Sequence, residues 1–132
     1  MQNNFKQSIQ LVKITTLIFV IALFFGCKKN QIGGKAVLKG IVAHHGVPIP
    51  NAYVYIKYNA LEFPGDDYTL YDTYVIANNE GNFTVNLYKG KYYVFAKGYD
   101  LNIPAPYLVS GGLSVNIRNR EKLTKDIPVT ED

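Results

Sequence analysis

From Lys35 onward the sequence is a series of short runs of β-branched and aromatic residues, each followed by glycine, proline, asparagine or aspartate. No stretch repeats its apolar residues at the 3.6-residue spacing of a helix. The residues between the runs favour turns or accept positive φ. This spacing predicts seven strands, at 36–43, 52–58, 69–77, 82–87, 92–97, 113–118 and 123–129.

Seven short strands joined by tight turns predict an all-β domain, a seven-stranded antiparallel β-sandwich. Alternate side chains of a strand point to opposite faces of its sheet. In the strand at 52–58 the small and aliphatic residues therefore face the core, while Tyr53, Tyr55 and Lys57 face outward. The core positions predicted in this strand and in 82–87 are Ala52, Val54, Ile56, Phe83, Val85 and Leu87.

The N-terminal part of the chain has the layout of a secretory signal. Its only charged residues before the apolar run are Lys6 and Lys13, and the thirteen residues from Ile14 to Gly26 are apolar or small. A helix of that length spans about 20 Å, less than the ~30 Å hydrocarbon core of a bilayer. We therefore expect a cleaved signal rather than a permanent membrane-spanning helix.

The apolar run ends at Cys27, the only cysteine of the chain. The segment LFFGC at 23–27 resembles the lipobox of bacterial lipoproteins, although Phe24 and Phe25 replace the usual aliphatic and small residues. The resemblance implies that residues 1–26 are removed and that Cys27 is lipidated. Two or three acyl chains on Cys27 would hold the protein on a membrane. Residues 27–35 would then form a lipidated tether, and residues 36–132 the domain.

The charge balance argues against a nucleic-acid partner. The formal net charge is +4, from 14 Lys and Arg and 10 Asp and Glu, but from Ile32 onward the two signs are equal in number. No basic patch is therefore predicted. Lys28 and Lys29 follow the cysteine, where lipoproteins displayed on the surface of Bacteroidetes-like envelopes often carry acidic residues. This resemblance implies an outer-membrane lipoprotein that faces the periplasm.

The segments LKGIV at 38–42, GVPIPNAYV at 46–54, GNF at 81–83 and GKYYV at 90–94 resemble the carboxypeptidase regulatory-like family. The resemblance implies a transthyretin-like (prealbumin-like) seven-stranded sandwich. Asn51 stands where the family usually has glycine, and Ala77-Asn78 where it usually has Thr-Asp. Asparagine accepts the left-handed conformation and can cap a turn, so these departures are compatible with the fold.

The histidines and serines do not form a predicted catalytic site. His44 and His45 are adjacent, so a strand would point them to opposite faces, and we expect an exposed strand end before Gly46. Ser110 and Ser114, the serines that follow Cys27, are outside any nucleophile motif. We therefore expect no enzyme, no metal and no cofactor.

A small transthyretin-like hydrolase is the third of the functions that we consider. It would require a pocket that gathers His44 or His45 with Arg118 or Arg120.

Three carboxylates, Asp66, Asp67 and Asp72, surround the segment Glu62 to Gly65. Such oxygen ligands could hold Ca²⁺, although the spacing matches no known calcium loop. A solvated acidic loop is the interpretation that we favour, and the calcium site is the alternative.

Tyrosine is the residue in surplus, and all eleven tyrosines follow Cys27. Tyr53, Tyr55, Tyr93 and Phe95 lie opposite the predicted core positions, which predicts an exposed aromatic row for a protein or a glycan. The alternative is that these residues simply suit a pleated sheet. The sequence thus predicts a non-catalytic, lipid-anchored module of the cell envelope, structural or protein-binding, with a glycan-binding accessory lipoprotein as the second possibility.

Overall fold

The computed structural model describes Gly26 and residues 29–131. The predicted signal peptide and Cys27 lie outside these residues, apart from Gly26. In the described part of the chain no helix is long and apolar enough to span a bilayer. The elements are β1 (Ile32–His44), β2 (Val47–Pro48), β3 (Tyr53–Tyr58), a single-turn 3-10 helix (Tyr68–Leu70), β4 (Thr73–Ile76), β5 (Asn82–Leu87), β6 (Gly90–Tyr99), β7 (Leu108–Ile117), β8 (Lys122–Thr124) and β9 (Ile127–Glu131).

The strands form a sandwich-like, curled sheet, so the predicted all-β fold class is confirmed. The order along the sheet is β2-β1-β9-β7-β6-β3-β4, and β5 and β8 also pair with β1. The strand β9 joins the two layers because it pairs with β1 at one end and with β7 at the other. Every core position predicted from alternation in β3 and β5 is buried, together with the inward residues of β1, β6, β7 and β9.

Two of the pairings are parallel, because both β8 and β9 run alongside β1 in its own direction. The sequence predicted one strand at 123–129, but this segment is interrupted at Lys125 and Asp126. Gly40 of β1 lies against the interruption, where a Cβ atom would collide with the Lys125 carbonyl. The Asp126 carboxylate accepts a hydrogen bond of 2.9 Å from the Ile41 backbone N–H. These contacts divide the segment into two short strands.

The strands β7 and β1 begin several residues before the sequence predicts. The strand β7 starts at Leu108 and includes Gly111 and Gly112, a pair expected in a loop. A Cβ atom at Gly111 would collide with the Pro128 carbonyl, and one at Gly112 would lie 2.8 Å from the Tyr93 ring. These glycines therefore permit close packing inside a strand, which composition alone does not reveal.

The strand β1 begins at Ile32, inside the segment expected to be a tether. The residues before it are also docked. The Asn30 side-chain oxygen accepts a 2.8 Å hydrogen bond from the Lys91 backbone N–H, and the Gln31 carbonyl accepts one of 2.8 Å from the Tyr88 N–H. The buried Tyr92 hydroxyl donates to the Tyr88 carbonyl, and burial raises the pKa of this phenol to about 12. The segment predicted to be a tether is therefore bonded to the domain from Asn30 onward.

Candidate functional site

The outward side of β3 and its neighbours is aromatic. In the antiparallel register of the sheet, Tyr55 of β3 lies opposite Tyr74 of β4 on one side and Phe95 of β6 on the other. Tyr53, two residues earlier in β3, lies opposite Ile76. Because alternate residues share a face, these side chains project from the same surface.

Eight aromatic rings on this surface are connected through ring contacts. The centroid distances between neighbouring rings lie between 5.2 and 6.5 Å, the range of favourable aromatic pairs. The eight rings are Tyr53, Tyr55, Phe63, Tyr68, Tyr71, Tyr74, Tyr93 and Phe95.

The outer part of this cluster consists of Tyr53, Tyr55, Tyr68 and Tyr74, which we call the tyrosine face. Tyr53 is 44% exposed, Tyr74 53% and Tyr68 67%, and Tyr55 is half-buried between them. The sequence selected Tyr53 and Tyr55 correctly as outward-facing residues. It missed Tyr68 and Tyr74, although alternation from Thr73 in β4 would have placed Tyr74 on an outer face.

Phe95 differs from the prediction, because it is only 3% exposed. The loop at 59–72 folds back over β6, and Phe63 and Tyr71 of this loop cover the Phe95 ring at centroid distances of 5.2 and 5.7 Å. Tyr93 is half-buried beside Phe63. The predicted exposed row therefore ends at Tyr55. One sequence feature could have predicted that the loop at 59–72 covers Phe95. Apolar residues such as Phe63 occur in this segment, which is otherwise typical of a loop.

Hydrogen bonds hold this covering loop in place. Asp67 accepts from the Thr69 backbone N–H at 2.8 Å and so caps the 3-10 helix, which lowers the pKa of its carboxyl. Asp72 accepts from the Tyr58 N–H at 2.6 Å and from the Lys57 ammonium group at 3.2 Å. Two of the three carboxylates considered for calcium are thus bonded within the protein. Among residues 29–131, no three metal-ligating side chains of the His, Cys, Asp or Glu type are grouped.

The phenols of Tyr55, Tyr71 and Tyr93 are uncharged at neutral pH. Partial burial raises the pKa of Tyr55, and its neighbours Tyr53 and Tyr74 raise it further. Burial also raises the pKa of Tyr71 and of Tyr93. The hydroxyl groups can therefore both donate and accept hydrogen bonds to a ligand.

Two open grooves lie on either side of Tyr53 and Tyr55. One runs toward β4 and the covering loop, and Tyr68, Tyr71 and Tyr74 line it. The other runs toward β6 and is lined by residues that include Lys97, Tyr99 and Leu108. Tyr53 and Tyr55 therefore form a ridge between two shallow grooves, and the tyrosine face is an open surface rather than an enclosed pocket.

His44 also differs from the prediction, because it is 3% exposed rather than lying at an exposed strand end. Leu38, Val42 and His44 occupy alternate, inward-facing positions of β1, and the turn begins only at His45. The His44 Nδ1 atom lies 2.8 Å from an Asp100 carboxylate oxygen, and its Nε2 atom is buried without a partner. The histidine thus belongs to a buried pair at the end of the sandwich.

The structure does not bring the histidines and the arginines together. His44 ends β1, whereas Arg118 and Arg120 lie in the turn before β8, and Arg120 lines a depression with Gly33 and Gly34 near the start of β1. The pocket that a hydrolase of the transthyretin type would require is therefore not formed by these four residues.

The Asp100 carboxylate predicts a pH dependence of stability. Its pKa is lowered by a hydrogen bond from the Asn102 backbone N–H and by the one from His44. A lowered folded-state pKa contributes stability above the unfolded-state value of about 3.9, and this contribution is lost as the pH falls through the folded-state value. Urea unfolding should show that Asp100→Asn is destabilised at pH 7 and that its deficit shrinks below about pH 4. The exposed variant Asp66→Asn is the control, and a deficit for Asp100→Asn that is constant with pH would contradict the prediction.

The fold and the surface define an all-β, sandwich-like domain with an exposed tyrosine face. No protein-family model matches the sequence, and no curated protein matches it. Among solved structures, the chain is similar to a DUF3823 family protein from Parabacteroides merdae, with 19% identity and a TM-score of 0.45. The match covers 72% of this chain and 45% of that one, so the chain spans less than half the length of that protein.

Proposed function

We propose that this chain is a non-catalytic, lipid-anchored module of the cell envelope that binds another envelope protein through its tyrosine face. The observation that carries the proposal is the exposure of Tyr53 of β3, Tyr74 of β4 and Tyr68 of the covering loop on one surface. Tyrosine is enriched at protein interfaces because a large, rigid ring and a hydroxyl group are presented at a low cost in conformational entropy. Contiguous apolar surface of this kind typically marks an interaction site.

The ring geometry favours a protein over a glycan. The Tyr74 ring is inclined by 46° to that of Tyr53 and by 52° to that of Tyr55, so the face is not one flat platform. The exposed aliphatic side chain of Ile76, on the same face of β4 as Tyr74, extends the surface beyond the rings. A tilted, partly aliphatic surface suits the side chains of a protein partner better than the flat face of a sugar ring.

The edge of the sheet offers a second means of attachment. In the described part of the chain, β4 pairs only with β3 and ends the order of strands. An open strand edge beside an exposed aromatic surface can accept an extended segment of a partner, with backbone hydrogen bonds supplying affinity and side-chain pockets supplying specificity.

A glycan remains the second candidate because of one pair of rings. Tyr53 and Tyr55 are inclined by only 16° and their centroids are 6.0 Å apart, which makes a small two-ring platform. Such a platform could stack on one or two sugar units.

The membrane part of the proposal rests on the sequence. The apolar run before Cys27, the absence of any other cysteine and the small Gly26 support lipidation at Cys27. The Lys28-Lys29 pair, which stands where lipoproteins displayed on the cell surface often carry acidic residues, supports an outer-membrane location facing the periplasm. No nucleic acid, cofactor or metal is part of the proposal.

Photo-crosslinking in the native envelope tests the proposal. The full chain would carry a photoreactive amino acid at Ile76, next to the tyrosine face, in the parent and in the variant Tyr53→Ser/Tyr74→Ser. We expect one crosslinked protein species that is lost in the variant, because two exposed rings of the interface are removed. The control is Tyr107→Ser, an exposed tyrosine in the loop between β6 and β7.

Two outcomes would contradict protein binding. One is the same crosslinked species in the parent and in the double variant. The other is binding of the parent to envelope material from which all protein has been removed by protease, which would favour a glycan instead.

A further inference from the structure

The end of the sandwich at which the chain enters the domain is formed by three segments. They are the entering segment 29–35, the β5–β6 turn around Lys89 and the β7–β8 turn around Arg120, and we call this the proximal end. Asn30 connects the first two, because its backbone N–H donates to the Lys89 carbonyl at 3.1 Å. A depression lined by Gly33, Lys89 and Arg120 connects all three.

The proximal end is strongly basic. Two neighbouring depressions share Lys89 and Asn119, and neither is lined by an aspartate or a glutamate. All of the basic residues that line them are exposed. These residues are Lys29, Lys35, Lys89, Lys91, Arg118 and Arg120.

None of these six charges is neutralised by an ion pair within residues 29–131. The ion pairs of the described residues are His44 with Asp100 and Lys57 with Asp72. Glu121 is the nearest acidic residue in sequence, and its carboxylate accepts a 2.6 Å hydrogen bond from the Arg118 backbone N–H. The positive charge of this end is therefore available to an external partner.

The acidic residues lie largely elsewhere. Glu80 is in the turn before β5, Asp100 lies beside His44 and Glu131 ends β9, all at the opposite end of the strands. The loop at 59–72 carries Asp66 and Asp67 over the outer face. Positive and negative charges from Ile32 onward nearly cancel in number, but they lie largely at opposite ends of the strands. The charge count from the sequence does not show this separation.

The short distance in sequence between the proximal end and Cys27 favours a membrane surface as its anionic partner. Asn30 is docked on the domain. It is the third residue after Cys27, so the two residues are at most about 11 Å apart when the chain between them is extended. The Debye length at physiological ionic strength is about 8 Å, so charges at this end would feel the field of a membrane surface on which Cys27 is anchored. Phosphate head groups are the anions available there.

We propose that the proximal end docks onto a bilayer that contains anionic phospholipid. The closeness of the proximal end to a membrane rests on the proposed lipid anchor at Cys27, whereas the positive charge of this end does not. With the proximal end on the bilayer, the strands stand away from the membrane and the tyrosine face points sideways. The face is then presented to a partner on the same membrane.

Vesicle co-sedimentation tests the inference without the anchor. The polypeptide 29–132 retains every strand and every core residue described here, and circular dichroism would verify its fold. It should bind vesicles of phosphatidylcholine mixed with phosphatidylglycerol at low salt, and bind pure phosphatidylcholine vesicles at least about tenfold more weakly. Binding should also fall steeply with added salt.

A matched pair of charge reversals locates the surface. Lys89→Glu/Arg120→Glu should weaken binding to the anionic vesicles by about tenfold or more, because two positive charges become negative. The control Lys39→Glu/Lys125→Glu changes the net charge by the same amount. Lys39 lies in the middle of β1 and Lys125 lies between β8 and β9, and both are exposed. This control should weaken vesicle binding much less than Lys89→Glu/Arg120→Glu.

The inference is overturned if both double variants lose binding equally or if the two vesicle types bind equally well. Competition by millimolar inorganic phosphate, or tighter binding to a soluble anionic polysaccharide than to vesicles, would also overturn it. Since the 29–132 polypeptide carries no Cys27, failure of the lipid anchor leaves this result unaffected. Failure of the proposed protein binding by the tyrosine face would also leave the vesicle result unaffected, because Tyr53→Ser/Tyr74→Ser should bind the vesicles normally.

Discussion

Phe95→Ala should lower the free energy of unfolding by about 3–5 kcal/mol, the range of large-to-small substitutions at buried aromatic sites. The ring is enclosed by Phe63 and Tyr71 of the covering loop and by Tyr55 of the neighbouring strand. Removal of the ring leaves a cavity under the loop that the rigid sheet cannot close. Urea unfolding at neutral pH measures the effect.

Tyr53→Ser is the matched comparison, because it also removes an aromatic ring from the outer side of the same sheet. Tyr53 is 44% exposed, so the expected loss is about 1 kcal/mol or less. The difference between the two stability losses distinguishes the covered ring of Phe95 from the exposed ring of Tyr53. A small effect at Phe95 would show that the covering loop opens easily, and a large one at Tyr53 would show that its ring stabilises the fold rather than serving a partner.

Cys27→Ser should abolish lipid labelling of the full chain and leave the unprocessed precursor. In bacterial lipoproteins the acyl-bearing group is attached to the cysteine sulfur before cleavage, and a serine hydroxyl does not replace the thiol in that step. Because cleavage follows that attachment, none of the serine variant should fractionate as a processed, acylated protein if Cys27 is lipidated as we propose.

Metabolic labelling with a palmitate analogue and gel mobility measure the outcome for Cys27→Ser. Ser8→Ala, which changes the polar part of the signal, should be labelled and processed like the parent. An acylated, processed Cys27→Ser protein would refute the lipoprotein assignment. It would leave the charge-based vesicle test unaffected.

Much of the sheet could be predicted from the sequence, because strand alternation is a local property. The burial of Val54, Ile56, Phe83 and Leu87 follows from a two-residue period that needs no knowledge of neighbouring strands. The same rule would have placed His44 inside, had the alternation been extended by one more step.

The candidate site depends more on contacts between distant segments. Alternation placed Tyr53, Tyr55 and Phe95 on the outer side of the sheet, and all three do project from that side. Which of them remain exposed depends on the loop at 59–72, whose Phe63 packs on Phe95 across more than thirty positions of sequence. No periodic pattern encodes such a contact, because loop side chains have no fixed direction relative to a strand.

The sequence by itself determined that the chain forms an all-β domain, which residues of β3 and β5 face its core and that Tyr53 and Tyr55 face outward. Tertiary structure alone decided that Phe95 is covered, that the segment at 123–129 divides beside Gly40, and that six cations gather at the end where residues 29–35 enter the domain. The physical reason is the range of the interactions. Periodicity and turn preference act over a few residues, whereas loop packing and charge clustering combine residues that meet only when the sheet has curled and closed.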